Sequence, residues 1–327
     1  MLHCGLPVVA TCGGSCGGGQ TDVSSLARKA ILSLAGNRFV TRVMTRHGLK
    51  IGAGRFVAGV TLQDAVAVTR RLNDEGLAVT LDLLGEGVTD RDGARAMAEG
   101  CAGILEAIGR EKLDANLSVK LTQLGLAVDP EAAMENMVYL QDIARQAGIF
   151  IRIDMESSDV TDVTLDIVRR LYARERNVGT VIQAYLYRSP KDLEELARLG
   201  MNVRLVKGAY LEPPSVAYPK KADVDAAFRR LIAQHLSAGC YTAVATHDDA
   251  IIAFTESFVK EKGIPRDQFE FQMLYGIRPE RQRELARAGY RTRVYVPFGS
   301  DWYPYFVRRL AERPANVWFV LANLMKP

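Results

Sequence analysis

The segment RTRVYVPFGSDWYPYFVRRLAE, residues 291–312, contains a complete strand-to-helix unit. Alternation of polar and apolar residues over 293–296 predicts a strand, and Pro297 and Gly299 end it. Helical periodicity begins near residue 303. A strand followed at once by a helix is the repeating unit of parallel α/β folds, so the number of such units decides the fold.

Eight such units follow one another along the chain. Strands are predicted at 78–84, 117–121, 149–155, 179–186, 203–206, 243–247, 269–274 and 293–296. Helices are predicted at 89–109, 130–147, 160–174, 190–199, 222–238, 249–262, 279–287 and 303–313. The strands read as apolar on both faces, which is typical of buried parallel strands. This pattern predicts a (β/α)8 barrel of the TIM type, with a doubly wound open sheet as the alternative.

The chain before the first strand predicts two further parts. Residues 1–22 are rich in glycine and predict a flexible, disordered leader, and residues 23–76 predict N-terminal helices that pack on the barrel. The barrel with its C-terminal helix then occupies residues 77–327. The leader holds four side chains of the type that binds zinc: His3, Cys4, Cys12 and Cys16. Their spacing matches no zinc pattern, so a flexible tail is favoured over a metal site.

The composition is that of an ordinary globular protein, with 48% hydrophobic and 24% charged residues. The net charge of +4 is small, and no run of five basic residues occurs, which argues against a nucleic-acid-binding protein. No apolar run reaches the length of about 18 residues that a membrane span needs. No secretory signal is visible, so a cytoplasmic location is predicted.

Polar residues gather at the predicted carboxyl ends of the strands, where barrel enzymes carry their active sites. From the first strand to the last they are Asp82, Glu86, Lys120, Arg152, Asp154, Glu156, Gln183, Arg204, Lys207, Thr246, His247, Glu270, Gln272, Arg293 and Tyr295. A charged Lys120 within an apolar strand needs a partner, because an unpaired buried charge is costly. We expect it to pair with Asp82 or Asp154, or to bind an anionic ligand.

Two of these residues allow two interpretations each. His247 could act as a general base, or it could be a structural histidine beside Asp248. Gln183 could bind the edge of a heterocycle, or it could form an interstrand hydrogen bond.

The run RLVKGAY, residues 204–210, combines charge with small residues at the end of the fifth strand. Gly208 and Ala209 would let a ligand approach the backbone closely. Arg204 and Lys207 face opposite sides of a regular strand, so a shared ligand requires the strand to end or bend between them. Lys207 could form a Schiff base, as in aldolase-type lyases, or both cations could balance an anionic cofactor.

The last helix carries a second polar cluster, formed by Tyr305, Arg308, Arg309 and Glu312 at spacings near one helical turn. Two adjacent guanidinium groups can bind a carboxylate or phosphate bidentately. An amphipathic surface helix with ion pairs is the alternative. The position of the cluster after the eighth strand of a barrel favours the anion clamp.

Seven short strings, in this order, resemble the flavin-dependent proline dehydrogenases. They are TLDLLGE (80–86), SVKL (118–121), QAY (183–185), RLVKGAY (204–210), ATH (245–247), FEFQ (269–272) and VRRL (307–310). Leu211 stands at a position where the fused bacterial members of this family usually carry an aromatic residue. The loop after the eighth strand also looks shorter than theirs. Both features fit the short, single-function bacterial type.

The resemblance implies a (β/α)8 barrel that holds FAD noncovalently and oxidises L-proline to Δ1-pyrroline-5-carboxylate, the first step of proline catabolism. It also implies that electrons pass to a membrane quinone, so peripheral contact with the inner face of the cytoplasmic membrane is expected. Two other functions remain as alternatives, namely an aldolase-type lyase that uses Lys207 and an inactive barrel that senses a small anion.

The family pattern also implies residue roles. Asp154 and Arg204 would form the catalytic pair. The residues that would bind proline are Lys120, Tyr295, Tyr305, Arg308 and Arg309, with Glu312 orienting the two arginines. The residues that would contact FAD are Met155, Gln183, Arg204, Lys207, Gly208, Ala209, Thr246, His247 and Gln272.

Overall fold

The structure is a computed structural model that describes residues 52–85 and 87–312, with side chains up to Arg309. The predicted leader, the first of the predicted N-terminal helices and Glu86 lie outside the described residues.

Eight parallel strands close a barrel in which each strand pairs with its neighbours in sequence and the first pairs with the last. The strands are β1 (Ala78–Leu83), β2 (Ala115–Val119), β3 (Ile151–Ile153), β4 (Val178–Gln183), β5 (Val203–Val206), β6 (Thr242–Ala245), β7 (Phe269–Leu274) and β8 (Thr292–Phe298). The predicted (β/α)8 barrel is therefore confirmed, and the open sheet is excluded.

One helix of the described chain, α1 (Leu62–Asp74), precedes the barrel, and one helix follows each strand. The eight that follow are α2 (Arg91–Glu111), α3 (Pro130–Ala147), α4 (Thr161–Arg174), α5 (Ser189–Arg198), α6 (Lys221–Ser237), α7 (Asp249–Lys262), α8 (Pro279–Arg287) and α9 (Trp302–Glu312).

Local sequence signals explain where several helices begin and end. At the start of α1, the Thr61 hydroxyl accepts a hydrogen bond from the Asp64 amide, and the Asp64 carboxylate accepts one from the Thr61 amide. Asp129 caps α3, whose first residue is Pro130, and Gly148 ends this helix in the left-handed conformation. These signals lie in the sequence itself, which is why the predicted bounds of α3 match the observed ones.

The two faces of the strands differ, so the prediction that they are apolar on both faces is wrong. The outward residues pack with the helices in one large apolar core. On the inner face, side chains from strands that are not neighbours form hydrogen bonds with each other, which is possible only across the barrel interior. The inward polar residues are Thr80, Asp82, Asn116, Ser118, Arg152, Asp154, Arg204, Glu270, Gln272, Arg293 and Tyr295.

Gly179 on β4 makes room for the buried side chain of Arg152. A Cβ atom at Gly179 would lie 2.2 Å from the carbonyl oxygen of Asn202 and 3.0 Å from Nη1 of Arg152. Arg152 donates to the carbonyl groups of Asn202 and Thr180, each at 2.8 Å. Asn202 precedes β5, so Arg152 reaches toward the amino-terminal end of the barrel. The interpretation that placed it among the residues at the strand ends is wrong.

Helix α9 is held on the barrel by aromatic packing. Trp302 and Phe306 are both buried, with their ring centroids 5.8 Å apart, and Phe306 lies 6.2 Å from the ring of Phe56. The rest of this cluster comes from α9 itself, from the segment before α1 and from the loops after β1 and β7: Tyr305, Ala53, Val57, Leu84 and Ile277. The last helix therefore rests on residues that precede the barrel in sequence.

We expect Gly179→Ala to lower the free energy of unfolding by about 1–3 kcal/mol, because the added methyl group has no space beside Asn202. Gly103→Ala is the matched control. Gly103 lies within α2 and has no atom within 4 Å of an added Cβ, so alanine should stabilise the helix by up to about 1 kcal/mol. Urea unfolding of both variants measures the difference, and equal effects would contradict the packing argument.

Candidate active site

Asp154 is the centre of a polar cluster at the mouth of the barrel, which is the end formed by the carboxyl termini of the strands. It follows β3 directly. Its Oδ1 atom accepts hydrogen bonds from Nη1 of Arg204 at 2.7 Å and from the Ser118 hydroxyl at 2.8 Å. Its Oδ2 atom accepts one from the Tyr295 hydroxyl at 2.8 Å. Side chains of β2, β5 and β8 thus converge on one carboxylate.

Lys120 joins this cluster from the end of β2. Its Nζ atom donates to Oδ1 of Asp82 at 2.9 Å and lies 3.6 Å from Oδ2 of Asp154. The Tyr295 hydroxyl is 3.4 Å away. Asp82 is 1% exposed, so it has almost no access to water. The prediction that Lys120 pairs with Asp82 or Asp154 is confirmed.

Four groups of the buried cluster have shifted pKa values: Asp82, Asp154, Lys120 and Tyr295. Burial raises the pKa of Asp82 and outweighs the opposing effect of Lys120. For Asp154, burial acts in the same direction, but Arg204 and Lys120 outweigh it and lower the pKa. For Lys120, burial lowers the pKa, but Asp82, Tyr295 and Asp154 more than reverse this effect. Burial and the two carboxylates raise the pKa of Tyr295, so its hydroxyl stays a donor.

Arg204 is held from two sides and is 4% exposed. Its Nε donates to Oε1 of Gln272 at 2.6 Å, and its Nη1 donates to Asp154. The ring of Tyr295 lies 5.2 Å from its Cζ atom. The third nitrogen, Nη2, is buried without a hydrogen-bond partner among the described residues. A buried charged donor without an acceptor costs free energy, so this position suits a ligand that brings an acceptor.

Lys207 lies in a different cluster from Arg204, as strand alternation predicts. β5 ends one residue before it, and its Nζ atom contacts Oδ1 of Asp225 on α6 at 2.5 Å. The same atom contacts Oδ2 of Asp248, the residue that caps α7, at 2.8 Å. The amine therefore contacts two carboxylates that lie outside the Asp154 cluster.

Gly208 has a conformation that only glycine adopts easily, with a φ of 114°. A Cβ atom there would lie 2.3 Å from the ring of Tyr185, so the backbone is packed against this aromatic side chain. Ala209 follows and is exposed, while Met155, which lies after β3, is buried. The chain after β5 therefore carries only small side chains at Gly208 and Ala209, and Tyr185 covers one side of it.

Gln183 and His247 both have structural partners. Gln183 donates from Nε2 to the carbonyl oxygen of Glu156 at 2.8 Å. Nε2 of His247 accepts a hydrogen bond from the Leu274 amide at 3.0 Å, so the neutral ring carries its proton on Nδ1. This geometry favours the structural interpretation of His247 over a general base. Thr246 also has a local role, since its hydroxyl accepts from the amide of Asp248.

The arginine pair of α9 lies at the same mouth. Cζ of Arg309 is 5.1 Å from the ring centroid of Tyr305, while Arg308 is exposed. Burial raises the pKa of Tyr210 to about 12, Glu156 adds to the rise, and Arg308 opposes it. Arg308 is therefore close to the loop that follows β5. The side chain of the fourth predicted member, Glu312, lies outside the described residues.

The sequence interpretation assigned no site role to Ser118 or Glu156. Ser118 lies two residues before Lys120, so strand periodicity alone places both on the inward face. Glu156 is buried and accepts hydrogen bonds from the Thr122 amide at 3.1 Å and the Thr122 hydroxyl at 2.6 Å. Burial raises its pKa. The sequence of a single strand does not indicate that Thr122 donates hydrogen bonds to Glu156.

Comparison with known proteins identifies the family. The proline dehydrogenase family model matches residues 65–322. This chain belongs to the proline dehydrogenase family. Proline dehydrogenase 1 of Bacillus subtilis subsp. natto is 48% identical over 301 residues, which cover 92% of this chain and 100% of that protein. The proline dehydrogenase of Deinococcus radiodurans is 44% identical over 309 residues, which cover 93% and 99%.

These matches confirm the predicted resemblance, including the single-function bacterial type, and show that the protein is an oxidoreductase of this family. Among solved structures, proline utilization A from Bdellovibrio bacteriovorus, inactivated by N-propargylglycine, superposes with a TM-score of 0.78 at 23% identity. The alignment covers 89% of this chain and 36% of the other. That similarity supports the barrel fold.

We expect Lys120→Met to destabilise the dehydrogenase by about 3–5 kcal/mol, because it leaves Asp82 buried without its cation. The loss should shrink as the pH falls. The folded-state pKa of Asp82 is raised, and removal of Lys120 raises it further, so protonation relieves the buried charge. Urea unfolding at pH 7 and at pH 5.5 measures both effects.

The double variant Lys120→Met/Asp82→Asn is the control, since it removes both charges. It should recover much of the lost stability and lose the extra pH dependence. If the Asp82 substitution instead added to the loss, the two residues would not be acting as a buried ion pair.

Proposed function

We propose that this enzyme oxidises L-proline to Δ1-pyrroline-5-carboxylate, the first step of proline catabolism, with noncovalent FAD as cofactor and a membrane quinone as electron acceptor. Family membership supports the reaction class. The observation that carries the proposal is the convergence of Lys120, Asp154, Arg204 and Tyr295 at the mouth of the barrel, with Arg308 of α9 close enough to affect the pKa of Tyr210.

The groups at the mouth complement the parts of proline. Its carboxylate suits the paired guanidinium groups of Arg308 and Arg309, with Lys120 as a third cation. Its small apolar ring suits the aromatic walls of Tyr295 and Tyr305. In this proposal Glu312 orients the two arginines, and Asp154 and Arg204 form the catalytic pair.

The residues present also fit FAD. The Nη2 atom of Arg204 requires an acceptor, and the chain after β5 carries only small side chains at Gly208 and Ala209. FAD, when bound, supplies the acceptor for the two electrons removed from proline. The residues proposed to hold it are Met155, Gln183, Arg204, Lys207, Gly208, Ala209, Thr246, His247 and Gln272. A positive charge at Arg204 would stabilise negative charge that arrives during the reaction.

The chemistry requires orientation more than a protein base. A hydride leaves the ring carbon beside nitrogen, and the nitrogen loses its proton, so that a C=N bond forms. Lys120 and Arg204 are each paired with a carboxylate, so their contribution is to orient the bound substrate. Asp154, in turn, holds both the Arg204 guanidinium and the Tyr295 hydroxyl in place.

The absorption spectrum of the purified protein is the main test. A yellow protein with a flavin spectrum that proline bleaches without oxygen, and that a soluble quinone analogue restores, supports the proposal. A colourless protein whose Lys207 is trapped by borohydride and a carbonyl substrate would support the lyase. A flavin-free, inert protein that binds amino acids would support the sensor.

The geometry disfavours the lyase, because the Lys207 amine contacts two carboxylates away from the Asp154 cluster. As for the quinone, no helix within residues 52–85 and 87–312 is long and apolar enough to cross a bilayer. The proposed membrane contact is peripheral, and it is tested by sedimentation with lipid vesicles.

We expect Arg308→Met and Arg309→Met each to raise KM for proline at least tenfold, which corresponds to a loss of about 1.4 kcal/mol of binding. Arg→Lys at either position should also raise KM, because the two-pronged guanidinium is lost. Arg198→Met is the control, since Arg198 ends α5 at the opposite side of the barrel. Steady-state kinetics with unchanged KM would contradict the clamp assignment.

We expect kcat/KM to rise with pH by about tenfold per unit between pH 6 and pH 8, because only the deprotonated amine of proline reacts. Asp154, Lys120 and Tyr295 should not interrupt this rise. The pKa of Asp154 is lowered, and those of Lys120 and Tyr295 are raised well above their usual values, so none titrates in this range. A flat or falling profile would contradict this account.

A further inference from the structure

Glu270 lies inside the barrel, two residues before Gln272 on β7, and is 2% exposed. Its carboxylate accepts hydrogen bonds from Nε of Arg293 at 2.9 and 3.1 Å and from the Tyr241 hydroxyl at 3.0 Å. It also accepts one from Nε2 of Gln272. Burial acts to raise its pKa, but Arg293 and these hydrogen bonds outweigh it, so the group is ionised.

The carboxylate determines which way the amide of Gln272 points. An ionised carboxylate can only accept hydrogen bonds, so the NH2 end of Gln272 must face Glu270. The carbonyl end then faces Arg204, and Oε1 accepts from Nε at 2.6 Å. With the amide reversed, two acceptors would meet at Glu270 and two donors would meet at Arg204.

The amide in turn helps to determine the orientation of Arg204. The guanidinium group is planar, and two of its three nitrogens are held by residues on different strands, Nε by Gln272 and Nη1 by Asp154. A planar group fixed at two points cannot rotate. The position of the third nitrogen, Nη2, therefore follows from these two contacts.

We propose that Glu270 is a positioning residue for the oxidation, which acts through Gln272 to hold Arg204 in its working orientation. Glu270 itself touches neither substrate nor cofactor. This inference rests on the proposed function, in which Arg204 lies beside the flavin. Arg293 balances the buried charge of Glu270. It also donates a hydrogen bond to the carbonyl of Val79, which connects the Glu270–Arg293 pair to β1.

Glu270→Gln tests the proposal. A glutamine can donate or accept, so the amide of Gln272 loses its fixed direction. We expect kcat to fall at least tenfold while KM for proline changes by less than about twofold, because the carboxylate clamp is untouched. The midpoint potential of the bound flavin should become more negative, since Arg204 no longer stabilises the added electrons. Unchanged kcat and potential in a folded variant would overturn the proposal.

The position of Arg204 is measured independently of the flavin by hydrogen exchange of its Nε–H, followed by NMR on protein with labelled arginine. Exchange should be faster in Glu270→Gln than in the parent protein. This readout requires no bound flavin and no turnover, so it separates failure of the inference from failure of the proposed function. Equal exchange rates in the two proteins would overturn the positioning role.

Five further variants distinguish positioning from loss of stability. Tyr241→Phe removes a hydrogen bond to the same carboxylate from the other side and should leave kcat and the potential unchanged. Glu270→Gln/Arg293→Gln removes the charge that the single variant leaves without its partner, and its kcat should stay low. Recovery of kcat in this double variant would show a charge-balance effect instead.

The third and fourth are Gln272→Met alone and Gln272→Met combined with Glu270→Gln. If Glu270 acts through Gln272, the loss in kcat from Glu270→Gln should nearly disappear once Gln272 is absent. Additive losses would overturn the proposed route. The fifth, Glu270→Asp, keeps an ionised acceptor and should retain more activity than Glu270→Gln.

Discussion

The ion pair between Asp154 and Arg204 is the interaction on which the arrangement of the mouth depends. It joins β3 to β5 across the interior, at 2.7 Å, where little water enters. Removal of two charges from water costs several kcal/mol for each ion, and close contact with further hydrogen bonds must offset that cost. Ser118, Tyr295 and Gln272 supply those bonds, so the register of five strands must be right for any one pair to form.

The interior also holds a buried cation, Arg152, that forms no ion pair with a carboxylate of the described residues. Its guanidinium bonds to neutral oxygen atoms, and burial together with Arg204 lowers its pKa to about 9. A ligand with negative charge would offset this positive charge. The anionic substrate and cofactor of the proposed reaction are of that kind.

The sequence predicted the barrel well and the interior less well. Repeated apolar runs and helix signals, such as the cap and the terminal glycine of α3, are local and can be counted. The inward polar face was also visible as pairs two residues apart, Arg152 with Asp154 and Arg293 with Tyr295, but the runs were interpreted as apolar on both faces. Cross-barrel partners depend on strand tilt and stagger, which no single strand encodes. Arg152 extends toward the amino-terminal end of the barrel, and the space for it depends on Gly179 of another strand.

The packing of Trp302 and Phe306 against Phe56 has a consequence for how the protein folds. The last helix of the barrel and the segment before its first strand are more than 240 residues apart in the chain (from 56 to 302). β8 must likewise find β1 before the ring of strands can close. Contacts between such distant residues form late in synthesis, because the C-terminal part must first leave the ribosome. Closure of the barrel around its charged interior and the packing of α9 on Phe56 therefore both depend on the part of the chain that is synthesised late.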